Sequence, residues 1–232
     1  MKLQHKSSSV VIAIDGLSAS GKGTLARRLA AHYGYAYLDT GALYRAVALS
    51  VLRQGGNPAD EEVAACAAER LDASAVRGYV DDHALRSEET SSAASKLSVF
   101  PSVRAALLQF QLNFCVNPPE GKAGAVLDGR DIGTVIAPEA PVKLYITASA
   151  ETRAERRTKE LREKGGDANY NAVVAEMRMR DARDSSRAAA PVCAAPDAVV
   201  LDTTYLDADQ VFAKALAICD ERLSGLTCKV PK

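Results

Sequence analysis

Val10-Val11-Ile12-Ala13-Ile14-Asp15-Gly16-Leu17-Ser18-Ala19-Ser20-Gly21-Lys22-Gly23-Thr24 runs a short apolar stretch straight into a glycine-rich turn that carries one lysine. The apolar run reads as a buried strand. The spacing of Leu25, Leu29 and Tyr33 behind the turn predicts an amphipathic helix from Lys22 to about Tyr33. A turn in that position suits phosphate. Small residues let consecutive backbone N–H groups share one concavity, and the helix adds its positive end and its unpaired first-turn donors. Lys22 supplies a point charge for the outer phosphates, and the residues expected around ATP are Gly16, Leu17, Ser18, Ala19, Ser20, Gly21, Lys22, Gly23 and Thr24. The usual short pattern has Ser or Thr directly after the lysine, whereas Gly23 intervenes here and Thr24 follows. A glycine-rich strand-to-helix turn without a ligand is the competing reading.

Composition sets the outer limits. At 232 residues the chain is either one large domain or a core domain with one or two small insertions, and it can bury a sizeable core. Its 29 basic and 29 acidic side chains cancel, so no global field draws it to nucleic acid or to a membrane surface. Arg outnumbers Lys by 18 to 11, which suits a protein that grips small polyanions at defined points. Cys66, Cys115, Cys193, Cys219 and Cys228 are scattered and unpaired in spacing, which argues for a reducing compartment and against a disulfide or zinc framework. His5, His32 and His83 are isolated, and the polar start before Val10 is followed by too short an apolar run for a signal peptide or a membrane span. The expectation is a soluble cytoplasmic monomer.

Short apolar runs alternate with helical patterns, the signature of strand-helix-strand units and a mostly parallel sheet in an α/β fold with helices on both faces. The expected strands are Val10–Asp15, Tyr35–Leu38, Ala125–Asp128, Val142–Thr147 and Ala198–Leu201. Two helical stripes stand out, Val103, Leu107, Phe110, Phe114 and Phe212, Leu216, Cys219, Leu223, the second preceded by a capping-box pair of Asp207 and Gln210. Two stretches break the rhythm. Residues 57–96 are rich in Asp, Glu, Ser and Ala, with a strand-like run at Val76–Val80, and read as an insertion. Residues 151–187 hold 8 Arg and 8 acids on a thin apolar stripe of Ala150, Ala154 and Leu161, and read as a helical lid. Residues 1–56, 97–150 and 188–232 remain as the core.

Three further clusters carry chemistry. Asp39-Thr40-Gly41-Ala42-Leu43-Tyr44-Arg45 follows the second strand, at the end of a parallel sheet where ligands gather. Thr40 is expected to cap the next helix and Arg45 to fork onto a second phosphate, although a plain helix-entry turn is the alternative. Leu127-Asp128-Gly129-Arg130-Asp131 ends the third strand and reads either as a salt-bridged strand end or as an arginine on phosphate with acids at a metal shell or a base edge. Arg180, Asp184 and Arg187 recur at helical spacing, and Arg153, Arg156 and Arg157 lie among acids in the lid, where pairs such as Glu155 with Lys159 account for part of the pattern. Arg153 and Arg157 are expected at ATP. One donor cradle, a second phosphate site one strand later, and many arginines describe phosphoryl transfer, in which guanidinium groups and magnesium offset repulsion of about several kcal/mol between the two anions.

With these residues in view, the chain resembles bacterial cytidylate kinases, within the nucleoside monophosphate kinases. The resemblance runs from about Val10 to Leu223 and rests on Gly16 to Thr24, Leu38 to Arg45, Phe100-Pro101-Ser102-Val103-Arg104, Asp128 to Thr134, and Arg180 to Arg187. In that family Lys-Gly-Thr is the normal end of the phosphate loop. The resemblance implies a P-loop core, an acceptor insertion, a lid, and transfer from ATP to CMP or dCMP giving CDP or dCDP. It implies that Thr40, Arg45, Arg130 and Arg187 hold the acceptor phosphate, that Ser95, Arg104 and Asp131 read the cytosine, and that Arg180 and Asp184 take the sugar. Lys22, Arg130 and Arg187 would then be catalytic. Magnesium would arrive on ATP without a protein cage, with Thr24 the side chain placed to touch it. The stretch from Val76 to Ser95 is shorter than the β-rich insertion of many members. Rival readings are a monophosphate kinase of another base preference, an idle nucleotide-binding module, and a GTPase-type switch. Asn-Lys-x-Asp and Asp-x-x-Gly, which a switch needs, are both missing from the sequence.

Overall fold

In a computed structural model, residues 9–71, 79, 82–163, 165–187 and 190–227 are described. Five parallel strands, β1 (Val10–Gly16), β2 (Ala36–Asp39), β3 (Gly124–Gly129), β4 (Val142–Thr147) and β5 (Val199–Asp202), form one sheet in the order β2-β3-β1-β4-β5. The strands run parallel because each connection crosses back over a face of the sheet before the next strand begins. The expected strands fall within one residue of these bounds.

Side chains of β1 alternate between two cores, as the pleat dictates. Val11 and Ala13 face a cluster with α2 (Thr40–Arg53), α4 (Glu88–Leu97) and α5 (Pro101–Val116), where Leu43, Val47, Leu97, Val103 and Leu107 are buried. Ile12 and Ile14 face the other, made with α1 (Lys22–Tyr33) and α8 (Ala208–Thr227), where Leu25, Leu29, Val211 and Cys219 are buried. A sheet covered on both faces explains why its strands read as continuous apolar runs. On α5 the buried face is Val103, Leu107, Gln111 and Cys115, so Phe110 and Phe114 are half-buried at its edge instead of central. The helix is apolar over more than one face, and the stripe drawn from its largest side chains was one position off.

The region of the expected insertion holds α3 (Glu61–Glu69), a 3₁₀ turn at His83–Arg86 and α4. The strand-like run Val76–Val80 lies, apart from Tyr79, outside the described residues. The Arg-rich region folds as a helical hairpin of α6 (Ala150–Glu163) and α7 (Tyr170–Ser186), with its own small core of Ala154, Ala168, Val173 and Met177. On α6 the ion pairs are Arg157–Glu160 at 3.0 Å and Lys159–Glu163 at 3.9 Å, in place of the expected Glu155–Lys159 pair. No helix among the described residues is long and apolar enough to cross a membrane.

Candidate active site

The first wall is the turn after β1. Gly16 sits at φ 150°, and a Cβ there would lie 2.1 Å from the Ile146 carbonyl oxygen, so only glycine lets the chain leave the sheet at this point. Gly21 precedes α1 without a side-chain cap, leaving the first-turn donors for a ligand. Carbonyls of the turn are engaged by residues far along the chain. Ser18 O accepts from Arg153 at 3.3 Å, and Ser20 O accepts from Arg156 at 3.4 Å and from the Thr203 hydroxyl at 3.1 Å. Ala19 packs on the small core of the α6–α7 hairpin.

Strand register builds the second wall. Asp39 of β2 pairs with Asp128 of β3, and Gly129 with Asp15 of β1, so the carboxyl ends of three adjacent strands stand in a row. Asp39, and not Thr40, caps α2: its carboxylate accepts the Ala42 N–H at 3.1 Å and holds Arg45 at 2.7 Å. Thr40 instead donates to the Asp128 carbonyl at 2.7 Å, because its side chain points at β3 across a gap kept open by Gly129.

The third wall is arginine. Arg130 Nε donates to Asp184 at 2.9 Å, Arg104 is ion-paired with Asp131, and Arg187 donates to the Asp184 carbonyl at 3.3 Å. All three walls face one continuous cavity of about 690 Å³. Ser18 to Thr24, Arg157, Thr40, Arg45, Ser95, Arg104, Arg130, Asp131, Arg180, Asp184 and Arg187 line it. Gly16 and Leu17 lie behind the turn. Arg153 lies outside as well, buried between Ser18 O, Ala148 O and Asp181. Residues singled out for no role that also line the cavity include Arg156, Thr203, Asp39 and Arg86. Arg156 stands in the Arg-rich run of the lid, whereas Thr203 has no local sequence signal, since its partner Ser20 is far along the chain.

Burial and charge set the ionisation of this region. Lys22 is brought down to about 7 by burial and then by the neighbouring Arg130, with Asp128 and Asp39 pulling the other way. Burial, then the Asp39 charge, pushes Asp128 up to about 6. Arg180 falls to about 10 for want of water and beside Arg130. Burial works against the ionised form of Asp184, but Arg130 and the other guanidinium groups hold its carboxyl below the usual range. An excess of desolvated positive charge waits in the cavity, which is the condition for binding polyanions.

The cytidylate kinase profile matches residues 12–221. The cytidylate kinase of Paramagnetospirillum magneticum is 59% identical over 213 residues, covering 90% of this chain and 97% of that protein. The cytidylate kinase of Xanthobacter autotrophicus is 55% identical, covering 93% of this chain and all of its relative, and that of Rhodospirillum rubrum is 53% identical. The match reaches all five strands and covers the whole of the cavity wall, and on that extent and that identity the chain belongs to the cytidylate kinase family.

Proposed function

We propose that this chain transfers the γ-phosphoryl group of Mg·ATP to CMP or dCMP, giving CDP or dCDP. The observation that carries the reading is a set of buried polar atoms without hydrogen-bond partners, Ser20 Oγ, Arg45 Nε, Ser95 Oγ, Arg180 Nε and Arg187 Nη2, all belonging to residues that line one cavity. Each such atom costs about 1–3 kcal/mol while unpaired, so the cavity is built for a polar guest.

Donor and acceptor roles follow from position. The turn from Ser18 to Thr24, Lys22 included, cradles the triphosphate, with Arg157 on the lid side. Arg45, Arg130 and Arg187, with Thr40, take the acceptor phosphate. Arg104 and Asp131, paired with one another, offer a donor and an acceptor to a base edge. Cytosine presents an amine donor beside ring acceptors, which that pair matches. Ser95 adds a hydroxyl there, while Arg180 and Asp184 face the sugar. Among the described residues no cluster of three metal-ligating side chains exists. The oxygens at the cavity, the Thr24 hydroxyl and the Asp39 and Asp128 carboxylates, fit a hard cation that keeps most of its waters and rides on the nucleotide. Bound there, magnesium neutralises charge on the β- and γ-phosphates.

The reaction needs no protein nucleophile. Lys22 and the arginines hold two anions in line and cancel their repulsion, and closure of the 57–96 and 151–187 segments over the core excludes water. The four described cysteines form no disulfide, which agrees with work in a reducing compartment such as the cytoplasm. An ADP-release assay with CMP, dCMP, UMP, AMP and dTMP tests this. Turnover with the cytidine nucleotides at least about tenfold above the rest is expected, and a flat response to them refutes it.

A further inference from the structure

Donor turn and acceptor corner lie on different strands, and one buried side chain joins them. Asp15, the last residue before Gly16, is 4% exposed and does not line the cavity. Its two oxygens accept the backbone N–H groups of Ile132 and Gly133, each at 2.8 Å, across 117 and 118 residues of sequence. Those N–H groups open the short π-helical turn Ile132–Ile136, which has no side-chain cap of its own. Arg130 and Asp131 immediately precede it.

We propose that Asp15 is a positioning residue for phosphoryl transfer, its carboxylate setting the distance between the lysine-bearing donor turn and the Arg130-Asp131 corner of the acceptor pocket. The proposal rests on the kinase reading given above. A carboxylate buried on two backbone donors is a costly way to hold a strand end, because desolvation of the charge opposes folding. Burial pushes the Asp15 carboxyl up to about 6, and its two N–H donors recover only part of the ionised form. An apolar residue at this point of β1 would be cheaper for stability alone. What it could not supply is a two-point tether that fixes both the position and the tilt of the turn. Gly133 fits closely at the tether, since a Cβ there would press on Lys143 Cδ at 3.2 Å and touch Asp15 Oδ2 at 3.4 Å. Misplacement of a reacting group by about 1 Å costs on the order of 100-fold in rate.

Two variants test the tether from opposite sides. Asp15→Asn keeps the shape but turns an amide NH₂ toward one of the two N–H donors. Gly133→Ala leaves Asp15 intact and crowds the turn against Lys143, asking for a shift of a few tenths of an ångström. With Asp15→Asn, kcat for CMP is expected to fall about 10- to 100-fold, and with Gly133→Ala about two- to fivefold, while KM for ATP stays within about twofold in both, with thermal unfolding followed alongside. Lowered melting temperatures with wild-type kcat and KM would mean a merely structural role and would overturn the proposal. If Asp15→Asn does not fold, Gly133→Ala decides by the same criterion. Wild-type protein in the same assay separates the failures: no turnover of CMP there overturns the kinase reading and the tether with it, whereas undiminished turnover in the variants overturns the tether alone.

Discussion

A lysine that has lost its water is a proton acceptor waiting for a counter-charge. With burial and Arg130 holding Lys22 near 7, the free site at pH 8 contains mostly neutral amine. A triphosphate beside it favours the ammonium form and lifts that pKa, so ATP binding takes up protons between about pH 7 and 9 and takes up few below about pH 6. Calorimetric titrations in two buffers of unequal ionisation heat read this directly. Lys22→Arg, whose side chain stays charged, is expected to abolish the uptake, and an unchanged uptake in that variant would remove Lys22 as its source. Lys22 and most of the cavity arginines were legible in the sequence, because they sit in local patterns with glycines, acids or helical spacing. Asp15 and Thr203 were not. Their partners lie 117 and 183 residues away, and a single carboxylate at a strand end or hydroxyl in a loop announces nothing by itself.

Secondary-structure elements were the most legible level, for a physical reason: a doubly covered parallel sheet writes each strand as an apolar run, and the turns between carry glycine or a cap. The cap of α8 was read correctly. Asp207 accepts the Gln210 N–H at 2.8 Å while Gln210 accepts the Asp207 N–H at 3.1 Å. Asp207→Ala is therefore expected to lower stability by about 1 kcal/mol in urea unfolding, and a loss below about 0.3 kcal/mol would show the cap to be redundant. The cap of α2 was misread because Asp39 and Thr40 are both capping types, and side-chain direction decided between them. On α5 the apolar residues cover too much of the circumference for their spacing to single out the buried line.

At the scale of the whole molecule, stability is unevenly shared. The two cores flanking the sheet are large, while the α6–α7 hairpin is held by Ala154, Ala168, Val173 and Met177 and by arginines reaching the donor turn. Met177→Ala is expected to speed amide hydrogen exchange across 150–186 several-fold and to leave exchange in β1 and β4 unchanged; equal acceleration in the strands would mean hairpin and core unfold as one. The bond from the Thr203 hydroxyl to Ser20 O has a consequence for biosynthesis. At about 5–20 residues per second, a ribosome needs roughly 10–40 s to travel from the codon for Ser20 to that for Thr203. Throughout that interval the nascent polypeptide carries a half-assembled nucleotide pocket. Ser20 O waits that long for its partner, and chaperones have a window in which to meet the unfinished donor turn.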